Sequence, residues 1–526
     1  MWRSMHRLQK LAVLAVVALT LYIWTISYGS ESLLKEQFRP EVEANKVSVP
    51  DFEDVEGVKV EEATGHKVTF NEPSNPKSKA VREAFKFAWK NYKKYAWGHD
   101  HLKPISKKSA DWFSLGLTIT DSIDTILIMN LAEEYEEARE YVKLSLSFNH
   151  DQKVNLFETS IRVLGGMLSA YHLTGDELYK EKATELGSKL LGAFEHSKTP
   201  IPLSDVNLKT KDAATPSWTP YSSLSEVTSL QLEFRDLSRV TGNATFEQIT
   251  FKVNEHIHDL GCNDMDGLCQ MYINPLTGIF AKDGAITLGA RTDSFYEYLF
   301  KQWLQTGKSI DFLKEDYLKA VEAMKKHLLK RTKNKKLLYF GEMTSSKSFY
   351  PKMDHLVCFL AGTLALGSKN GFGEEHMELA KDLGETCYQF YNNPTGLGPE
   401  IAHFAIDGDE KNSDLYVKPL DAYSLLRPEA VEAWFYLFRL TGDTKYQEWG
   451  WKMFESIEKY AKVENGYSSV NNVKKIPVSY KDNMESFYLA ETLKYLYLLL
   501  ETDQTILPLD KWVFNTEAHP LPIYQH

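Results

Sequence analysis

The chain has 526 residues, 43% of them hydrophobic and 13% aromatic, enough apolar material for one large core. Its net charge of −11 and pI near 5.8 argue against a nucleic-acid partner, which needs a basic face. GxGxxG, GxxxxGK[ST] and HExxH motifs are all absent, so dinucleotide, P-loop and zincin chemistry have no sequence signal.

Residues 1–10 carry Arg3, Arg7 and Lys10 and read as a cytoplasmic tail. Leu11 to Ser27 (LAVLAVVALTLYIWTIS) is free of charge and just long enough for a thin bilayer. The positive-inside rule makes residues 11–28 a signal anchor with the remaining chain in a lumen, a single-pass type II membrane protein. The apolar run exceeds a usual signal-peptide core and lacks a small-x-small cleavage site beyond it. Residues 29–77, polar and broken by Pro40, Pro50, Pro73 and Pro76, read as a luminal stem. Residues 78–526 are expected to form the folded domain.

Within that domain, carboxylates stand in pairs at helical spacing inside otherwise apolar segments. Asp121 and Asp124 precede ILIMNL, Asp293 and Glu297 lie in TDSFYEYLF, and Glu429 and Glu432 lie in RPEAVEAWFYLF. Glu158 and Arg162 are spaced the same way in FETSIRVLGG. Spacings of three or four share a helix face, and charge among Leu, Ile and Phe is costly to desolvate unless paired or solvated in a cavity. The pattern predicts an acidic cavity.

Thr-Gly followed by a polar residue recurs at Thr174, Thr241, Thr306 and Thr441, steps of about 65 residues with one double step. Glycine after an apolar run suits a helix C′ position of positive φ, and the next Asp or Asn suits an N-cap. Each unit therefore reads as helix, tight turn, helix. Glu158, Glu226, Asp293 and Glu429 lie 12 to 16 residues before these turns, about 18–24 Å at a helical rise of 1.5 Å. About seven such hairpins in a ring would bring the acids to one mouth of an all-α, α/α barrel.

Four cysteines suit an oxidising lumen. Cys358 and Cys387 would close a loop worth roughly 3–4 kcal/mol, while the pairing of Cys262 with Cys269 is left open. Asn243-Ala244-Thr245 is a glycan acceptor sequon on a predicted turn. Paired acids in a cavity suit glycoside hydrolysis, in which one carboxyl protonates the departing oxygen and another activates water or attacks carbon.

FETSIRVLGGMLSAYHLTGD, LGARTDSFYEYLFKQW, TGLGPEI, LLRPEAVEAWFYLFRLTGD and VFNTEAHPLPI resemble the class I α-1,2-mannosidases, glycoside hydrolase family 47. The resemblance implies an (α/α)7 barrel that inverts anomeric configuration and requires Ca2+. It makes Glu429 the favoured general base, leaves Glu158 and Asp293 competing as general acid, and gives Ca2+ to Thr516. Sugar contacts are expected at Arg162, Glu226, Glu297, His355, Glu400, Arg427, Glu432, Phe487 and Glu491. Arg291, two residues before Asp293, goes with the family branch that trims Man9GlcNAc2 to Man8 in the endoplasmic reticulum. The Cys358–Cys387 pair goes with catalytically competent members, and Ala433-Trp434 departs from a common Ser-Leu, with altered packing expected near the mouth. The implied partner is the high-mannose N-glycan of glycoproteins in early secretory quality control; no protein partner is legible. Residence in the endoplasmic reticulum membrane is expected, with the Golgi membrane compatible with the same anchor. Two alternatives stay open: a Golgi-type mannosidase trimming to Man5, and a degradation-enhancing glycan-binding factor.

Overall fold

The computed structural model describes residues 68–262, 265–282, 284–405 and 414–524. The expected tail and anchor, and the stem up to residue 67, lie outside these. Among the described residues, no helix is long and apolar enough to cross a membrane. The folded part starts earlier than residue 78. Val68 N–H already donates to Leu173 O, and Asn75 caps helix α1 (Pro76–Ala96) by accepting from the Lys77 and Ser78 amides. Proline in the first turn of α1 loses no hydrogen bond, since that amide has no partner within the helix. Residues 68–77 therefore belong to the folded part and not to the expected stem.

The Thr-Gly repeats end helices as the sequence predicts. Gly175, Gly242 and Gly442 are left-handed caps at φ 69°, 72° and 73°. The threonine supplies a second lock. Thr174, Thr241 and Thr441 each donate Oγ1–H to the carbonyl four residues back at 2.6 Å. The same oxygens accept the amides of Asp176, Asn243 and Asp443, so one side chain satisfies groups on both sides of the turn.

The helices form two layers. The inner layer contains α2 (Ile123–Ile128), α4 (Gly165–Thr174), α6 (Gln231–Thr241), α8 (Asp293–Gln305), α10 (Phe359–Gly367), α12 (Glu429–Thr441) and α14 (Leu493–Leu500). Each packs on the next, and α14 meets α2, closing a ring. The outer helices α3 (Ala132–Leu144), α5 (Glu177–Leu190), α7 (Thr245–Leu260), α9 (Asp311–His327), α11 (Glu374–Gln389) and α13 (Lys445–Tyr460) each back the inner helix before them. The last inner helix packs on α1, the first helix among the described residues. Inner helices are buried nearly all round (every residue of α10 and α14 is buried), while outer helices such as α5 bury one stripe.

A C-terminal hairpin, strands Trp512–Phe514 and Pro520–Pro522, contacts α8 and α4 respectively. Its turn carries Thr516. A glycine lets it approach: a Cβ on Gly165 would come within 2.7 Å of Asn515 Nδ2, while one on Gly166 would come within 2.4 Å of the Thr120 carbonyl, outside the hairpin. The GlyGly of VLGGML is therefore a packing requirement.

Candidate active site

A cavity of about 350 Å³ is lined by eight carboxylates and three arginines. The carboxylates are Glu158, Glu226, Asp293, Glu297, Glu429, Glu432, Glu491 and Glu517; the arginines are Arg162, Arg291 and Arg427. Asp293 and Glu429 are the first residues of α8 and α12, where the helix dipole favours negative charge. Arg162 and Glu491 lie in single π-helical turns, Thr159–Leu164 and Tyr488–Thr492, of the kind that often mark functional sites.

Opposite environments act on the two helix-leading acids. Burial pushes the Asp293 carboxyl up to about 7, helped by the charges of Glu297 and Glu429 and resisted by hydrogen bonds from the Ser294 amide and Ser225 hydroxyl. Burial also works against ionised Glu429, but the His355 hydrogen bond and the Arg427 charge outweigh it and hold Glu429 below the usual range. Near neutrality one acid keeps a proton and the other is ionised, the arrangement that acid–base catalysis needs. Glu158 accepts from Arg162 Nε at 2.8 Å, and its amide is capped by Asn155. Arg162 also binds Glu517 and lies 3.5 Å from Asp121.

Of the expected sugar contacts, Arg162, Glu226, Arg291, Glu297, Arg427, Glu432, Phe487 and Glu491 line the cavity, as does Thr516. The guanidiniums of Arg162 and Arg427 lie 5.8 and 5.6 Å from the Phe487 ring centroid. Arg291, at φ 80°, stacks over Trp218 and Tyr272. Its carbonyl accepts the Ser225 amide at 2.8 Å, a contact that helps hold the uncommon backbone conformation.

Several residues singled out in the sequence lie outside this lining. His355 and Glu400 do not line the cavity; both are buried behind its wall, His355 on Glu429 and Glu400 on Arg427 Nε at 2.6 Å. The Asp121–Asp124 pair also turns away from the cavity. His519 bridges these aspartates at 3.1 and 2.8 Å, and Lys494 pairs with Asp124 at 2.9 Å. Four ionisable side chains thus satisfy one another under the C-terminal hairpin. Trp434 is fully buried against Tyr388, Tyr391 and Trp449, behind the wall and away from the mouth.

Some participants escaped the sequence reading. Lys301 is buried and pairs with both Glu297 and Glu432; a lysine one turn from Glu297 in an apolar helix was the available signal. Trp218 and Ser225 carry no such pattern. Both cysteine pairs are bonded, Cys358–Cys387 and also Cys262–Cys269. Asn243 is exposed beside its helix cap.

The surroundings of Thr516 suit a hard cation. Its amide donates to Tyr298 OH, and among the described residues no hydrogen bond uses its hydroxyl or carbonyl oxygen. Burial, followed by the charges of Glu517 and Glu429, drives Glu491 well above the usual carboxylate range. Glu517 rises to about 8, chiefly through burial. Carboxylates so crowded would be relieved by a nearby divalent ion, and the available donors are all oxygen. Among the described residues no cluster of three or more His, Cys, Asp or Glu forms a metal cage.

The model of glycosyl hydrolase family 47 matches residues 84–523. The endoplasmic reticulum mannosyl-oligosaccharide 1,2-alpha-mannosidase of Rattus norvegicus is 52% identical over 458 residues, 86% of this chain and 69% of that protein. Mannosyl-oligosaccharide 1,2-alpha-mannosidase IA of Sus scrofa is 39% identical over 453 residues, 84% of this chain and 67% of that protein. The solved α-1,2-mannosidase of Trichoderma reesei superposes with a TM-score of 0.79 at 27% identity, covering 86% of this chain and all of that one.

Proposed function

The chain belongs to glycosyl hydrolase family 47, and from that premise we propose that it hydrolyses terminal α-1,2-linked mannose from Man9GlcNAc2 N-glycans with inversion. The observation that carries this reading is the opposed ionisation of Asp293 and Glu429 in one acid-lined cavity.

In this mechanism the Glu429 carboxylate takes a proton from water as the water oxygen attacks the anomeric carbon. The C–O bond to the departing sugar breaks, and Asp293 delivers its proton to that oxygen. The product leaves with inverted configuration, and proton exchange with solvent resets both carboxyls. Between the two acid candidates, the raised Asp293 supports the donor role. Glu158, bound to Arg162 Nε, suits a part in holding the sugar and the Arg162 guanidinium. Phe487 lines the cavity and suits contact with a pyranose ring. Thr516 would hold Ca2+ through its hydroxyl and carbonyl; the bound ion supplies charge that orients and polarises sugar hydroxyls. Arg291, at the cavity with several donors on a rigid fork, suits selection among glycan branches.

The proposed setting is the endoplasmic reticulum membrane, entered through the 11–28 anchor, with Asn243 as a glycan acceptor. Full-length chain incubated with Man9GlcNAc2, with and without a chelator, tests the activity. Release of one mannose, lost with chelator, is expected. Binding without release would make the chain a glycan-binding factor, and ready trimming to Man5 would make it a Golgi-type enzyme.

A further inference from the structure

His355 uses both ring nitrogens. Nδ1 lies 2.8 Å from Glu429 Oε2, and Nε2 lies 2.9 Å from the Tyr391 hydroxyl. The imidazole is 1% exposed, so these two groups are its partners rather than solvent. An ionised Glu429 can only accept, so Nδ1 must carry a hydrogen, and in a neutral ring Nε2 then offers the lone pair. Burial, with the charges of Glu429 and Glu400, pushes the Tyr391 phenol well above its ordinary range, so it remains a donor.

We propose that Tyr391 is a positioning residue: its hydroxyl donates to His355 Nε2, fixes the Nδ1–H tautomer, and through the ring aims Glu429 at the reacting water. This inference rests on the reading of Glu429 as general base.

Three further features converge on Tyr391. A Cβ on Gly398 would lie 2.9 Å from Tyr391 Cζ, 3.0 Å from its hydroxyl and 3.0 Å from His355 Nε2. Glycine in TGLGPEI therefore leaves room for this hydrogen bond. The Cys358–Cys387 disulfide ties the His355–Cys358 turn to α11, and the chain leaving α11 reaches Tyr391 through a Tyr391 N–H to Tyr388 O bond of 3.0 Å. Donor and acceptor are thus carried on covalently linked segments. Trp434 packs behind the phenol at 5.5 Å between centroids, its own N–H bonded to Gly384 O at 3.3 Å. The Trp434 departure and the glycine motif acquire one common purpose.

The test compares full-length wild type, Tyr391→Phe and Gly398→Ala by Man9GlcNAc2 kinetics, melting temperature and 15N-histidine NMR. Tyr391→Phe is expected to lose about 10–100-fold in kcat, with KM and melting temperature near wild type. Gly398→Ala, which wedges the pair apart, should fall in the same direction. The His355 nitrogen shifts should move from a single Nδ1–H form towards a mixture of tautomers. A folded Tyr391→Phe with wild-type kcat, a loss confined to KM, or unaltered His355 shifts would overturn the inference. Should Tyr391→Phe fail to fold, Gly398→Ala is held to the same outcomes. Wild type that releases no mannose would sink the proposed function instead, and the nitrogen shifts would still decide whether Tyr391 sets the tautomer.

Discussion

Ser225 Oγ donates to Asp293 Oδ1 across 2.8 Å, joining the acid that opens α8 to the short helix Leu224–Thr228. That hydrogen bond favours the ionised carboxyl, yet burial wins and the group titrates at about 7. Catalysis by protonated Asp293 with ionised Glu429 predicts a bell-shaped profile for kcat/KM. Its alkaline limb should fall near pH 7, and its acid limb below the usual glutamate range. A flat profile from pH 6 to 9 would count against Asp293 as donor.

The same raised pKa bears on stability. Between about pH 4 and 7 the folded state holds a proton that the unfolded chain has released, so Asp293 destabilises increasingly as pH rises, and fully above 7. Asp293→Asn should therefore melt higher than wild type at pH 8, with the difference vanishing towards pH 4. Its kcat should drop by roughly 10²–10⁴-fold. Scanning calorimetry at the two pH values checks the first expectation.

Glu429→Gln keeps the shape of the base but removes its charge. Turnover should fall by roughly 10²–10⁴-fold while Man9GlcNAc2 binding, read by calorimetry, persists. Loss of binding together with turnover would make Glu429 a sugar-holding group.

Arg291→Leu removes the guanidinium from the cavity and from the Trp218 and Tyr272 rings. Chromatography of the Man8 products should show additional isomers. A single unchanged isomer would dismiss the branch-selecting role.

Lys494→Met leaves Asp124 buried with one charge partner fewer. A loss of roughly 3–5 kcal/mol in stability is expected. Burial disfavours the Asp124 carboxylate, but Lys494 and His519 outweigh it and hold the group at about 2. Its stabilising contribution is therefore present above about pH 4 and lost as pH falls towards 2. Denaturant melts at pH 7 and pH 2 should show the wild-type advantage shrinking.

How far the site could be read in advance depended on the element holding each residue. Glu297 and Glu432 were legible because helical spacing placed each on a face with a partner acid. Asp121 and Asp124 obeyed the same spacing and yet turned away, because their partners, Lys494 and His519, come from hundreds of residues downstream. Trp218 and Tyr391 lie outside the helices, where no period announces a direction.

By itself, the order of amino acids determined helical hairpins and where those with a threonine–glycine turn end, since such a turn acts within four residues of itself. It also determined that charge would be concentrated on apolar helices. Tertiary structure alone decided which acids share the cavity and which are neutralised beneath it. It also joined α1 to α14, and set Asp293 and Glu429 to opposite ionisation. The physical reason is range: hydrogen bonding in a turn is local, whereas desolvation and charge depend on neighbours that only the closed ring brings together.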